Sequence, residues 1–211
     1  MDIFQHISES LQSGDDQKVF ELTAQAIAQN ISPKEILDSG LIAGMNIVSE
    51  KFGRHGIFLP EVLLAARAMY AGLDQLKPLL IEAEIPSLGK IVIGTVHGDL
   101  HDIGKNLVGI MLRGAGFEVI DLGKDVPAEE FIKAALREEA KVIGMSALLT
   151  TTAPVMKSVI ELLKDKGLSG RIKTIVGGAP VSEEYAREIG ADAYAYDASR
   201  AVGRVKQLLN A

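Results

Sequence analysis

Apolar positions change their rhythm partway along the chain. In residues 1–88 they recur at three- and four-residue intervals, as in "DIFQHISESLQSG" and "DDQKVFELTAQAIAQN", which predicts helix throughout. "SPKEILDSGLIAGMNIVSEKFG" opens with Ser32 as N-cap, Pro33 at the first helical position and Glu35 three residues after the cap, the pattern of a capping box. "LPEVLLAARAMYAGLDQLKPLL" starts with a helix-opening proline, Pro60. Four helices with short connections predict a small antiparallel bundle. The segment "IEAEIPSLG", with Pro86 and Gly89 as breakers, reads as a linker between this bundle and a second domain.

Residues 89–211 keep a different pattern. Short β-branched runs appear at 90–96, 117–122, 141–146, 172–178 and 193–197, separated by helical stretches such as "PAEEFIKAALREEA" and "APVMKSVIELLKDKG". Continuous apolar strands alternating with helices predict a parallel sheet buried on both faces. Five such strands fit the flavodoxin-like (Rossmann-type) order 2-1-3-4-5. The expected fold class is therefore α/β: a four-helix bundle at 1–88, then a five-stranded parallel-sheet domain at 89–211. Ligands of such sheets bind beyond the carboxyl ends of the strands, where the order reverses. The loops that meet there are "HGDLHDIG" after the first strand and "SALLTTT" after the third, with "GGAP" beside them after the fourth.

Composition narrows the chemistry. Apolar residues make up 47% of the 211, which suits a globular protein with a proper core. The net charge of −6 and the absence of a basic run speak against nucleic-acid binding. There is no cysteine, which excludes disulfides, thiolate zinc sites, iron–sulfur clusters and thiol catalysis. "MDIFQHISES" has no basic start and no long apolar run, and no segment has the apolar length to cross a bilayer. A cytoplasmic protein is the expectation.

The stretch "HGDLHDIGKN" gathers two histidines and two aspartates among glycines. Four readings compete. Asp99 or Asp102 could merely cap the helix that starts near Ile103. A hydrolytic metal centre needs three or more protein ligands per metal, yet no histidine follows His101. A phosphate or flavin cradle conflicts with so many carboxylates and with the lack of a Walker lysine. A metal that arrives with most of its ligands attached needs only one imidazole, His101, with Asp99 accepting its other ring N–H.

At these residues the sequence resembles the cobalamin-binding domain of methyl-transferring corrinoid proteins. The family motif Asp-x-His-x-x-Gly, Ser-x-Leu, Gly-Gly appears as Asp99-Leu100-His101-Asp102-Ile103-Gly104, then Ser146-Ala147-Leu148, then Gly177-Gly178, with residues 105–145 and 149–176 between the blocks. "GLIAGMNIVSEKFGRHGIFLPEVLLAARAM" is similar to the helical cap of methionine synthase and of small corrinoid proteins, which places the resemblance in the methyl-transfer branch.

The resemblance implies roles. His101 would be the lower axial ligand of cobalt, with the cofactor's own benzimidazole displaced (base-off, His-on). Asp99 would hydrogen-bond it, and the Thr152 hydroxyl would complete the relay. Gly98, Leu100, Asp102 and Gly104 would line the cofactor. Ser146, Leu148 and Thr150 would meet its nucleotide tail, Gly177 and Gly178 would admit the tail, and Ala198 would lie at its far end. Phe52, Leu59, Val62 and Leu63 match the apolar cap that shields the methyl group, although as residues alone they read equally well as bundle core. Asp38 matches an acidic cap position, and His97 is expected to be a bystander on the rim.

The implied protein is a non-catalytic methyl carrier, its cofactor cycling between cob(I)alamin and methylcobalamin. Its partners would be a substrate-specific methyltransferase, a second methyltransferase acting on tetrahydrofolate or a thiol, and a reductive activator protein. The cap would swing aside for each, with the linker as hinge. The rival implication is a cobalamin-dependent regulator or sensor, which would need room for a DNA-binding segment that these acidic N-terminal helices do not leave.

Overall fold

The computed structural model describes residues 2–83 and 87–210. It divides into two compact units, one of residues 1–87 with 114–116 and one of residues 88–113 with 117–211.

The first unit is helical. α1 (Ile3–Gln12) and α2 (Asp16–Ala28) are followed by a short α3 (Pro33–Glu35), a π-helical segment Ile36–Ile42, α4 (Ala43–Gly53) and α5 (Leu59–Glu82). Asp15 caps α2 by accepting the Lys18 N–H at 2.9 Å. Ser32 stands at the N-cap of α3, but its side chain makes no capping bond, so the expected capping box does not form. The expected single helix over 32–53 is also interrupted. From Ile36 to Ile42 the backbone widens to i→i+5 bonding, a change the apolar spacing does not signal. Pro60 sits in the first turn of α5, and Glu61 closes that end by accepting the Phe58 N–H at 3.0 Å. Ile81 and Glu82, expected in the linker, belong to α5; Pro86 lies outside the described residues. Ile7, Leu11, Val19, Ile36, Leu41, Met45, Val62, Met69 and Leu76 fill the interior of the unit.

The second unit alternates strand and helix: β1 (Lys90–Thr95), α6 (Ile103–Gly114), β2 (Glu118–Asp121), α7 (Ala128–Arg137), β3 (Val142–Ser146), α8 (Pro154–Asp165), β4 (Lys173–Gly177), α9 (Glu183–Ile189), β5 (Ala193–Tyr194) and α10 (Ala198–Leu209). All pairings are parallel and the order is β2-β1-β3-β4-β5, as the apolar runs predict. The middle residues of β1 and β3 are apolar because both faces are covered; Val92, Ile143 and Val176 pack with Phe131 of α7 and Met156 of α8. β5 is shorter than expected, pairing only through Ala193 and Tyr194 before Asp197 caps α10.

Register aligns the strand ends. Thr95 pairs with Ser146, and Ser146 pairs with Gly177. The last residues of β1, β3 and β4 thus form one row across the sheet, and their three loops leave it at the same level.

Candidate functional site

Asp99 anchors the row. It is fully buried in the β1–α6 loop, and both carboxylate oxygens are occupied. Oδ1 accepts the His101 ring Nδ1–H at 2.7 Å and the His101 backbone N–H at 3.1 Å. Oδ2 accepts the backbone N–H groups of Leu148 (2.8 Å) and Leu149 (3.2 Å) and the Thr152 hydroxyl (2.7 Å). The Thr152 oxygen also lies 3.0 Å from the Leu149 carbonyl; its single proton goes to the nearer, charged acceptor. Burial alone would raise the Asp99 pKa. The donors from Leu148, Thr152 and His101 outweigh it and hold the carboxyl well below the usual carboxylate range.

That ionisation fixes the imidazole. A carboxylate only accepts, so Nδ1 carries the proton, and the lone pair of a neutral His101 sits on Nε2. The side chain is 51% exposed while its partner is fully buried, so the ring projects from a rigid base. The buried Thr95 hydroxyl donates to the His101 carbonyl at 2.9 Å and fixes the backbone below the ring. Leu100, Ile103, Leu148 and Leu149 are exposed at these loops. At Gly104 a side chain would meet nothing within 4 Å.

Among the described residues no group of three or more histidine or acidic side chains is placed to hold a metal ion. The donor set, one imidazole with a free Nε2 in an apolar setting, fits a metal that brings its other ligands in a large ring. The residues present therefore fit cobalt in a corrin.

The remaining expected residues divide. Ser146 is half-buried and its carbonyl accepts the Val96 N–H at 3.0 Å, while Thr150 is exposed. Leu148 serves Asp99 through its backbone. Gly178 has φ of +126°, and a Cβ there would lie 1.9 Å from the Ala147 carbonyl oxygen; the close approach of two loops demands glycine whatever binds beside them. Ala198 is buried as the first residue of α10. Asp102 receives the Asn106 N–H on its carbonyl. In the helical unit Val62 is fully buried, Phe52 and Leu59 are half-buried and Leu63 is exposed. Asp38 pairs with Lys34 on an exposed helix face. His97, expected to be idle, lies 2.7 Å from Asp125.

Lys105, near the start of α6, is marked by no pattern in the sequence. Its side chain is 4% exposed, and Nζ donates to both oxygens of Asp121 (2.7 and 2.6 Å) and to Asn106 Oδ1 (2.6 Å). This pins the start of α6 to the end of β2. Lys105→Met strands a carboxylate that keeps some solvent access, so the expected loss is about 2 kcal/mol, below the usual cost of breaking a fully buried pair. Urea unfolding of the two proteins at pH 7 measures it, and a difference under about 0.5 kcal/mol would show the pair to be idle.

Residues 89–204 match the B12 binding domain family, and residues 3–77 match a second family of the same description. Dimethylamine corrinoid protein 3 of Methanosarcina acetivorans is 47% identical over 212 residues, covering 98% of this chain and 97% of that protein. The trimethylamine corrinoid protein of Methanosarcina barkeri is 42% identical over 211 residues, covering 99% and 97%. Among solved structures, a chain of the methanol:cobalamin methyltransferase complex of Methanosarcina barkeri superposes with a TM-score of 0.89 at 31% identity, covering 99% of this chain and 80% of that one. A cobalamin-binding protein of Desulfitobacterium hafniense DCB-2 gives 0.81 at 30% identity, covering 99% and 98%.

Proposed function

We propose, since this chain belongs to the family of B12-binding corrinoid proteins, that it carries a methyl group in a methylamine methyltransferase system, with His101 as the protein's one ligand to cobalt. The observation that carries the reading is the Asp99–His101 pair, a buried carboxylate bonded to Nδ1 of a half-exposed imidazole, which leaves Nε2 to offer its lone pair. Cobalt in a corrin ring, when bound, supplies the site that takes up a methyl group and gives it to an acceptor.

The chain's own residues hold and tune that site. Asp99 keeps the proton on Nδ1, so Nε2 offers its lone pair to the metal. Thr152 and the Leu148 and Leu149 amides keep Asp99 ionised. Ligation through Nε2 would need the neutral imidazole, with the ring proton held on Nδ1 by Asp99. Ser146 and Thr150 are assigned to the displaced nucleotide tail, with Gly177, Gly178 and Ala198 lining its course. Phe52, Leu59 and Leu63 keep apolar surface that would shield the methyl group, while Val62 is buried in the helical unit.

The relatives named for dimethylamine and trimethylamine favour a methylamine-specific methyltransferase as the donor-side partner. A second methyltransferase, acting on tetrahydrofolate or a thiol, would take the methyl group onward, and a reductive activator would restore the carrier. Among the described residues no helix is long and apolar enough to cross a membrane.

The test is reconstitution with hydroxocobalamin, reduction to the Co(II) form and electron paramagnetic resonance. The expected spectrum shows coupling to one imidazole nitrogen, which changes when the protein is labelled with 15N-histidine and disappears in His101→Ala. A protein that stays colourless, or a spectrum that keeps the benzimidazole nitrogen, overturns the reading.

A further inference from the structure

The residues leading to His101 are held by a side chain that the proposed mechanism does not use. Asp125 lies in the loop between β2 and α7. Its Oδ1 accepts the Gly98 backbone N–H at 2.7 Å and sits 2.7 Å from His97 Nδ1. Its own backbone N–H donates to the Asp99 carbonyl at 3.1 Å. Three consecutive residues, His97, Gly98 and Asp99, therefore hang on Asp125. On either side of it the same loop is laced to β1: Thr95 N–H donates to the Gly123 carbonyl and Val126 N–H to the Thr95 carbonyl, both at 3.0 Å.

Two details mark the arrangement as built for the loop. Asp125 has φ of +59°, a left-handed conformation uncommon outside glycine and, among other residues, most open to Asp and Asn. Gly98 also has a positive φ, +82°, and its N–H is met by this carboxylate. The His97–Asp125 contact is half in solvent and contributes little by charge alone. The bond to the Gly98 amide is the geometric constraint. The Gly98 N–H, opposed by slight burial and helped by His97, holds the Asp125 carboxyl below its ordinary value.

We infer that Asp125 is a positioning residue for the cofactor: its carboxylate sets His97 and Gly98, and its backbone N–H the Asp99 carbonyl, so that the Asp99–His101 pair is already aimed when cobalamin arrives. The inference rests on His101 being the cobalt ligand. Its energetic sense is preorganisation: a loop fixed in advance loses less freedom on binding.

Asp125→Gly removes the carboxylate and keeps the left-handed backbone without strain. Asp125→Asn keeps an oxygen that can accept the Gly98 N–H and tolerates the same φ. Asp192→Ala serves as a structural control. Asp192 likewise accepts a backbone amide, that of Thr174 at 2.8 Å, but at the start of β4, the opposite end of the strands. Three quantities are measured: hydroxocobalamin affinity, the imidazole coupling of the Co(II) form, and amide hydrogen exchange at Gly98 and Asp99 in the apo-protein.

Asp125→Gly is expected to weaken cobalamin binding about tenfold, the low end for losing a residue that orients a metal ligand. It should also reduce the imidazole-coupled fraction and speed exchange at Gly98 and Asp99. Asp125→Asn should stay within about twofold of the parent protein, and Asp192→Ala should change stability alone. Unchanged affinity and unchanged Gly98 exchange in Asp125→Gly overturn the inference, as does an equal loss of coupling in Asp192→Ala. If the parent protein itself shows no imidazole coupling, it is the His101 reading that fails. Exchange and affinity then still decide whether Asp125 positions the loop.

Discussion

Asp99→Ala lowers the stability of the apo-protein by about 3–5 kcal/mol at pH 7, the range for removing one partner from a buried charged network. The carboxylate is fully buried, and the donors on its two oxygens come from His101, Leu148, Leu149 and Thr152. Alanine leaves these groups facing a methyl, and the Leu148 and Leu149 amides have no nearby substitute. Acid should erase the difference. The folded-state pKa of Asp99 lies below its unfolded value, so its contribution is complete above about pH 4 and fades as pH falls toward the folded value. Urea unfolding from pH 7 down to pH 3 should show a constant gap between the two proteins that begins to narrow below pH 4. A gap under about 1 kcal/mol at pH 7, or one that widens in acid, contradicts the network described.

Gly178→Ala should be nearly as damaging, at about 4 kcal/mol, combining backbone strain at positive φ with overpacking against a rigid neighbour. The atom in the way is the Ala147 carbonyl oxygen, 1.9 Å from the new Cβ, and it cannot swing aside like the tip of a flexible side chain. The Ala147 N–H is itself tied to the Gly177 carbonyl at 3.3 Å. Relief must come from parting the loops after β3 and β4, and the first of these carries the Leu148 and Leu149 amides to Asp99. The substitution should therefore lower the unfolding midpoint and also loosen His101. Thermal melting together with hydroxocobalamin uptake checks both; a melting temperature within about 2 °C of the parent protein would show that the loops separate freely.

The sheet was legible because the central strands β1, β3 and β4 carry short apolar cores, the mark of burial on two faces, and the order followed from connection rules. The site was legible as far as its residues stand at the mouths of β1, β3 and β4. Loop position and residue chemistry pointed to Asp99 and His101, and the family resemblance alone added Thr152; the structure brings the three side chains into hydrogen-bond contact. Asp125 and Lys105 were not legible in this way. Their partners come from other parts of the βαβ unit, and "DLGKDVP" announces a turn without saying what it grips. The π segment was hidden for another reason: spacing of three and four is compatible with either bonding pattern, and tertiary packing selects between them. Ser32 shows the converse, a capping sequence whose side chain the structure leaves unused.

The reach of the Asp99 contacts also governs when the site comes into being. The groups on Oδ2 lie 49, 50 and 53 residues further along the chain. Local collapse of β1 and α6 brings none of them near. Closing so long a loop is costly in chain entropy until β3 docks beside β1, and such non-local pairings form slowly. A chain still emerging from the ribosome thus holds its histidine on an unsupported loop. Under the proposed function, competence for the cofactor would follow the folding of the sheet centre rather than precede it.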